Sequence, residues 1–290
     1  MTEEINASFL IDGLRTIRPN SKSPANTRVS LFATSLFPLY RIDTDDGPIA
    51  AKMMEEEGMA RTEEQGLKTL RSTGARVPEV FGVHAEPGRV VLYMEFIPAD
   101  GGSSAADLLE SLFRIYEERH ETYGLEYDNY IGSLPQINRV KNNFAEFWWE
   151  TRIQPILGAA VKKGLLTHSH FSRARSVVDR MSARWKLNRC GPRLVHGDLW
   201  SGNVLNNRGG MYIIDPSIAR SHPEQDFGML QLFGSPVPIQ ELARLAESIG
   251  LDPGLEDRIP FWQLYPLLVH VNIFGASYVS GVERVLRTYE

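Results

Sequence analysis

The stretch that most restricts the fold runs Leu194-Val195-His196-Gly197-Asp198-Leu199-Trp200-Ser201-Gly202-Asn203 and is followed by Ile213-Ile214-Asp215. Four residues separate Asp198 from Asn203, and Asp215 comes twelve residues after Asn203. Between them, residues 204–205 and 211–214 read as short strands around a turn at 206–210. A loop can aim the Asp198 and Asn203 side chains at one point, and the hairpin then returns Asp215 to it. Taken alone, a run of Asp, Gly and Asn is simply a turn that closes a hairpin. With all three groups in register, it is a set of oxygen donors that the fold has to bring together.

Kinase-type phosphoryl transfer needs such a set. One carboxylate, Asp198, would accept the proton of an attacking hydroxyl. Asn203 and Asp215 would supply hard oxygens to Mg²⁺, which His or Cys would not. The Asp-to-Asn spacing equals that of kinase catalytic loops. The same chemistry asks for a lysine on a strand to hold the phosphates of ATP, oriented by a helix glutamate. Ile49-Ala50-Ala51-Lys52 ends a predicted strand and puts Lys52 in that place, although a lysine closing an apolar strand also suits a solvated edge. Glu63 lies one helical turn before Leu67 and should project near a buried face, with Glu64 as the alternative. Residues 91–97 sit where a hinge would meet adenine through backbone groups near Glu95 and Ile97, a pattern shared by any buried strand entering a linker.

The chain around these groups reads as α+β. Residues 3–14 have helical spacing, with Phe9, Leu10 and Leu14 on one side. Strands are expected at 30–37, 39–44 and 49–53, the last two joined by a turn at Asp45-Asp46-Gly47. A helix at 58–72 capped by Gly74 and strands at 79–83 and 90–96 come next. Residues 98–104 (Pro-Ala-Asp-Gly-Gly-Ser-Ser) form the most linker-like stretch. Beyond it the pattern is mainly helical, at 105–123, 142–164, 171–187 and from 225 onward with breaks at prolines. A loop is expected at 128–138. A length of 290 residues makes two lobes the prior. The division is 1–97 as a small β-rich lobe for the nucleotide, 98–104 as the hinge, and 105–290 as the larger catalytic and substrate-binding lobe.

At these residues the sequence resembles the ketosamine-3-kinase (fructosamine kinase) family, a branch of the bilobal protein-kinase-like fold related to aminoglycoside phosphotransferases and choline kinases. The likeness covers about residues 28 to 288. It includes Asp128-Asn129-Tyr130-Ile131-Gly132-Ser133, Gln231-Leu232-Phe233-Gly234, residues 264–272 and Phe274-Gly275-Ala276-Ser277-Tyr278. The resemblance implies transfer of the γ-phosphoryl group of ATP, with Mg²⁺, to the 3-hydroxyl of a ketosamine, free or on a glycated protein. That activity serves deglycation. It implies Asp198 as general base, Asn203 and Asp215 on the metal, and Lys52 with Glu63 on the phosphates. His196 and Asp226 would support the catalytic loop. Three departures stand out. Residues 30–40, where the family has a Gly-rich loop over the nucleotide, contain no glycine, so Ala33, Thr34 and Ser35 must serve instead. Tyr116 stands where the family has a His, and Pro266 and Val269 replace polar residues. Two other readings are kept: an aminoglycoside- or choline-type phosphotransferase of the same fold, and a nucleotide-binding pseudokinase.

Three further residues are substrate candidates. Trp200, beside Asp198, either stacks on substrate or packs. His270 and Asn272 lie in an apolar segment and either line a cleft or bond internally. Trp148, Trp149 and Trp185 read as core or interface residues, and His168-Ser169-His170 as the start of a helix. A net charge of -5 gives no general reason to bind nucleic acid or an anionic membrane. The only cysteine, Cys190, cannot form an intramolecular disulfide, and the N-terminal MTEEINASFL lacks a signal-peptide pattern. A cytoplasmic protein is expected.

Overall fold

A computed structural model of the chain describes residues 2–19, 27–34 and 36–290. Contacts divide it into two units, Met1–Ser104 with Leu205–Asp215, and Ala105–Val204 with Pro216–Glu290. The sequence division assigned everything after residue 104 to the second part. The contacts instead give Leu205–Asp215, with Asp215, to the first.

In the first unit, α1 (Thr2–Ile17), β1 (Arg28–Thr34), β2 (Pro38–Thr44), β3 (Gly47–Met54), α2 (Glu57–Ser72), β4 (Val80–Glu86) and β5 (Arg89–Glu95) succeed one another in chain order. The strands make one antiparallel sheet in the order β1-β2-β3-β5-β4. Alternation along the strands sorts their side chains onto two faces. Ile49 and Ala51 of β3 join Val91 and Tyr93 of β5 against Phe9, Leu10 and Leu14 of α1. Ala50 and Lys52 point the other way. Strand β3 is covered on both sides, which is why it reads as a nearly continuous apolar run. Tyr93 ties the layer together by donating to the Leu10 carbonyl oxygen at 2.7 Å. The expected strand at 30–37 stops at Thr34, with a register shift between Leu31 and Ala33. Ser35 lies outside the described residues.

The linker-like stretch 98–104 is hydrogen-bonded along its length to the hairpin Val204–Asn207 and Gly210–Ile213. Gly101 N–H donates to Asn206 O at 2.9 Å, and Ser103 Oγ to Asn206 Oδ1 at 2.6 Å. Asn207 Nδ2 donates to Pro98 O at 2.8 Å. Glycines 101 and 102, at φ 78° and 97°, allow the turns these bonds require.

In the second unit α3 (Ala105–Glu117) ends well before residue 123. The expected helix at 142–164 is instead two α-helices, Phe144–Phe147 and Gln154–Lys162, joined by a π-helical turn at Trp148–Ile153. The loop expected at 128–138 contains a short hairpin, Asn129–Ile131 with Leu134–Gln136, turned at Gly132 with φ 57°. Helix Leu255–Phe274 runs through both Pro260 and Pro266 rather than breaking. Burial of most of its length compensates the two lost backbone hydrogen bonds. Its Phe261, Trp262 and Tyr265 pack with Phe144 and Trp148 as an aromatic core. Trp149 is also buried, while Trp185 is half-buried against Phe261 and Tyr289. The His168-Ser169-His170 stretch opens helix Ser169–Arg184, and His170 Nε2 meets Glu283 Oε1 at 2.8 Å. Among the described residues no helix is long and apolar enough to cross a membrane.

Candidate active site

Lys52 lies near the end of β3 on the face opposite Ala51 and is buried. Its ammonium meets Glu63 Oε2 of α2 at 2.7 Å and Asp215 Oδ1 at 3.1 Å. Burial works against the charge, but Asp215 and Glu63 outweigh it and hold the Lys52 pKa above the ordinary lysine value. Burial pushes Glu63 up to about 7, with Lys52 pulling it part of the way back. Of the two candidate glutamates, Glu64 faces outward and pairs with Arg61 and Lys68. Asp215 has φ 57°, a left-handed conformation that costs a non-glycine residue about 1–2 kcal/mol. Such strain clusters at functional sites.

Glu95 is less open than the expected hinge contact would require. Its N–H donates to Glu79 O at 2.8 Å, and its carboxylate accepts from Glu79 N–H at 3.1 Å. Ile97 comes just after the end of β5 and is buried at the start of the linker.

In the second unit, Arg193–Val195 pairs with Ala219–Ser221 and delivers the loop that begins at His196. Gly197 has φ 86°, and a Cβ there would collide with the Ser217 carbonyl oxygen. Only glycine fits. Asp226, wholly buried, lies under this loop. Its Oδ2 accepts from His196 N–H and its Oδ1 from Gly197 N–H, both at 2.8 Å. Tyr116 Oη also donates to Asp226 Oδ2 at 2.8 Å. Burial raises Asp226 to about 6, with the two backbone donors and Tyr116 working the other way. His196, also buried, accepts from Asp198 N–H through Nδ1 at 3.3 Å. Asn203 Nδ2 donates to Asp198 O at 2.8 Å and to Asp198 Oδ2 at 3.3 Å. The Asn203 Oδ1 therefore turns away from Asp198, a geometry that suits a hard cation. Among the described residues no group of three or more His, Cys, Asp or Glu could hold a metal by itself. A site with few protein ligands, completed by phosphates, is the usual arrangement for Mg²⁺.

The model of one family, described as fructosamine kinase, matches residues 28–289. The chain belongs to the fructosamine kinase family. A candidate ketoamine kinase of Enterococcus faecium is 32% identical, with 86% of this chain and 90% of that protein covered. The chloroplastic protein-ribulosamine 3-kinase of Oryza sativa subsp. japonica is 31% identical, with 84% and 70% covered. The crystal structure of a candidate fructosamine-3-kinase from Thermobifida fusca YX-ER1 matches with a TM-score of 0.81 at 33% identity, covering 91% and 93%. The aminoglycoside phosphotransferase APH(4)-Ia, at 13% identity and a TM-score of 0.62 over 98% and 99%, shares the fold. The fold is thus protein-kinase-like, and as a family member the protein is a ketosamine kinase, a phosphotransferase with a hydroxyl acceptor.

The departures from the fructosamine kinase pattern have visible consequences. In the glycine-free loop, Phe37 is buried with its ring centre 5.7 Å from Lys52 Nζ. Phe32 packs edge-on against Phe96 at 4.8 Å. Tyr116 supplies the hydroxyl that reaches Asp226. Pro266 and Val269 line a small pocket together with Asp198, Tyr265 and His270.

Asn272 does not line that pocket. Its amide donates to Ile156 O and Leu268 O, both at 2.9 Å, so burial among helices has turned it to internal bonding. Trp200 is 37% exposed, and its indole folds over Gly202, where a Cβ would strike the ring. Sequence reasoning missed Tyr265, which reads as one more apolar helix residue. Its hydroxyl donates to Gln136 Oε1 at 2.9 Å, and the residue lines the pocket beside Asp198.

Proposed function

We propose that the protein transfers the γ-phosphoryl group of ATP to the 3-hydroxyl of a ketosamine, free or carried on a protein. One observation carries this reading. Asp198, fixed by Asn203 and a loop braced from below by Asp226, borders a small pocket lined also by Tyr265, Pro266, Val269 and His270.

In this reading Asp198 takes the proton of the 3-hydroxyl as its oxygen bonds to the γ-phosphorus and the bond to the β-phosphate oxygen breaks. ADP and the ketosamine 3-phosphate result. Lys52, held by Glu63, pairs with the phosphates. Glu95 and Ile97 meet the adenine through backbone groups. Asn203 and Asp215 would hold Mg²⁺, which would neutralise phosphate charge when bound. Residues 1–97, together with Leu205–Asp215, then serve as the nucleotide-binding lobe, 98–104 as the hinge and the rest of 105–290 as the catalytic lobe. A cytoplasmic setting suits a chain whose one cysteine is half-buried.

ATP consumption measured against fructosamines, ribulosamines, aminoglycosides and choline tests the proposal. Turnover with a ketosamine alone is expected, and turnover confined to another acceptor overturns it. The buried Lys52–Glu63 pair speaks against a pseudokinase, since such a pair has no stability advantage over apolar side chains. A Mg²⁺-ATP titration that failed to raise the melting temperature would favour that second reading.

A further inference from the structure

Trp200, Phe233, His270, Phe274 and Tyr278 form one connected cluster of rings. His270 is its hub, with ring centres 4.8 Å from Phe233, 4.9 Å from Tyr278 and 5.3 Å from Phe274. Trp200 joins through Phe233 at 6.1 Å. The rings come from three separate stretches: the loop after Asp198, the segment beyond helix Glu224–Leu230, and the end of helix Leu255–Phe274 with the turn Ala276–Tyr278. Unlike the aromatic core around Trp148, this cluster is open. Trp200 and Phe233 are each 37% exposed and Phe274 is 53% exposed. Large rings gathered on a surface mark a place where something binds. The hub is also a wall of the pocket that contains Asp198.

We propose that this cluster is the subsite for the amine half of the ketosamine, namely its secondary ammonium and the alkyl arm attached to it. The inference rests on the reading of Asp198 as base to a ketosamine hydroxyl. In a ketosamine only two carbons separate the nitrogen from the carbon that bears the 3-hydroxyl. With that hydroxyl at Asp198, the nitrogen and its substituent come close to the pocket wall, where His270 is both wall and first ring. Aromatic faces attract a cation within about 6 Å of the ring centre. Burial lowers the His270 pKa, which keeps the hub uncharged and unopposed to an ammonium. None of the five side chains is a carboxylate. Recognition by rings alone favours a weakly hydrated ammonium with an apolar substituent over a small hydrated cation. The open side lets the arm continue into solvent, so the amine can be a lysine side chain of a polypeptide.

The test uses the full chain with ATP and Mg²⁺ and two acceptors built on one sugar. One is the ketosamine of the lysine side-chain amine, with the α-amino group blocked. The other has the same nitrogen acylated and therefore uncharged. Phe274→Ala and Tyr278→Ala should raise KM for the charged acceptor about fivefold to tenfold, with kcat changed less than threefold and KM for ATP unmoved. Phe274→Leu, which keeps apolar contact but has no π face, should restore KM for the neutral acceptor and not for the charged one. Melting temperatures within a few degrees of wild type show that the variants fold. Wild-type KM values for the charged acceptor in both alanine variants, or equal losses on the two acceptors, overturn the subsite while leaving the assigned reaction standing. A wild-type protein that phosphorylates no ketosamine overturns both.

Discussion

At the scale of single residues, the arrangement around Asp198 separates chemistry from support. Asn203 holds the carboxylate from one side, and Asp226 holds the backbone beneath it. Replacing Asp198 with Asn keeps the shape and an oxygen that can accept from Asn203, but removes the carboxylate proposed to take the proton. The expected result is a loss of kcat of about a thousandfold or more, within the range general-base and positional effects supply together. The melting temperature and the affinity for ATP should stay near wild type. A variant with wild-type kcat would mean that another group is the base. Asp198, Asn203, Asp215 and Lys52 stood out in the sequence as candidates because their spacing is short or their strand context is strong. The polar side of Tyr265 was not, because the hydroxyl's partner, Gln136, lies 129 positions away.

At the scale of elements, α1 shows how little room a tight helix–sheet contact leaves. Gly13 faces β4 and β5, and a Cβ there would collide with Tyr93 Oη and crowd the His84 ring. Gly13→Ala should therefore displace the hydroxyl that binds Leu10 and destabilise the protein by about 1–3 kcal/mol, despite alanine's better helix propensity. Urea unfolding would show it, and a stabilised variant would contradict the packing described. The first sheet was readable because its strands are short apolar runs and its turn at Asp45-Asp46-Gly47 is short. The helix at 142–164 was misread because periodicity alone does not reveal a π-helical turn such as Trp148–Ile153, which rotates the faces of helix Gln154–Lys162 relative to Phe144–Phe147. The segment 98–104 looked like free linker because Gly and Ser suit one. Its bonds to Asn206 and Asn207 join residues about a hundred positions apart, which local composition does not encode.

At the scale of the whole molecule, buried ionisable groups set how stability varies with pH. Burial pulls His222 down to about 4 where it stacks on Trp262 at 4.8 Å. The unfolded chain binds that proton near pH 6.5, and the folded one does not until about pH 4. Stability therefore falls as pH drops from 6.5 towards 4, by about 3 kcal/mol at most. Asp226 and Glu63, raised to about 6 and about 7, act in the opposite sense, contributing at low pH and losing that contribution as pH rises. Comparison with His222→Phe, which keeps a ring against Trp262, cancels them. The stability of wild type relative to the variant should fall between pH 7 and pH 4.5, as read by urea unfolding, and a constant difference would show that His222 titrates normally. The Lys52 ammonium, meeting two carboxylates, governs a second property of the whole protein. Above about pH 7, where Glu63 has lost its proton, two carboxylates face the one ammonium, in a protein already at -5. A phosphate arriving alone finds its cation already shared and would strand Asp215 against another anion. Nucleotide and divalent cation should thus tighten each other's binding, and bare phosphate or metal-free ADP should be held weakly. Access to the lysine becomes conditional on an escort, a selectivity filter made of surplus charge.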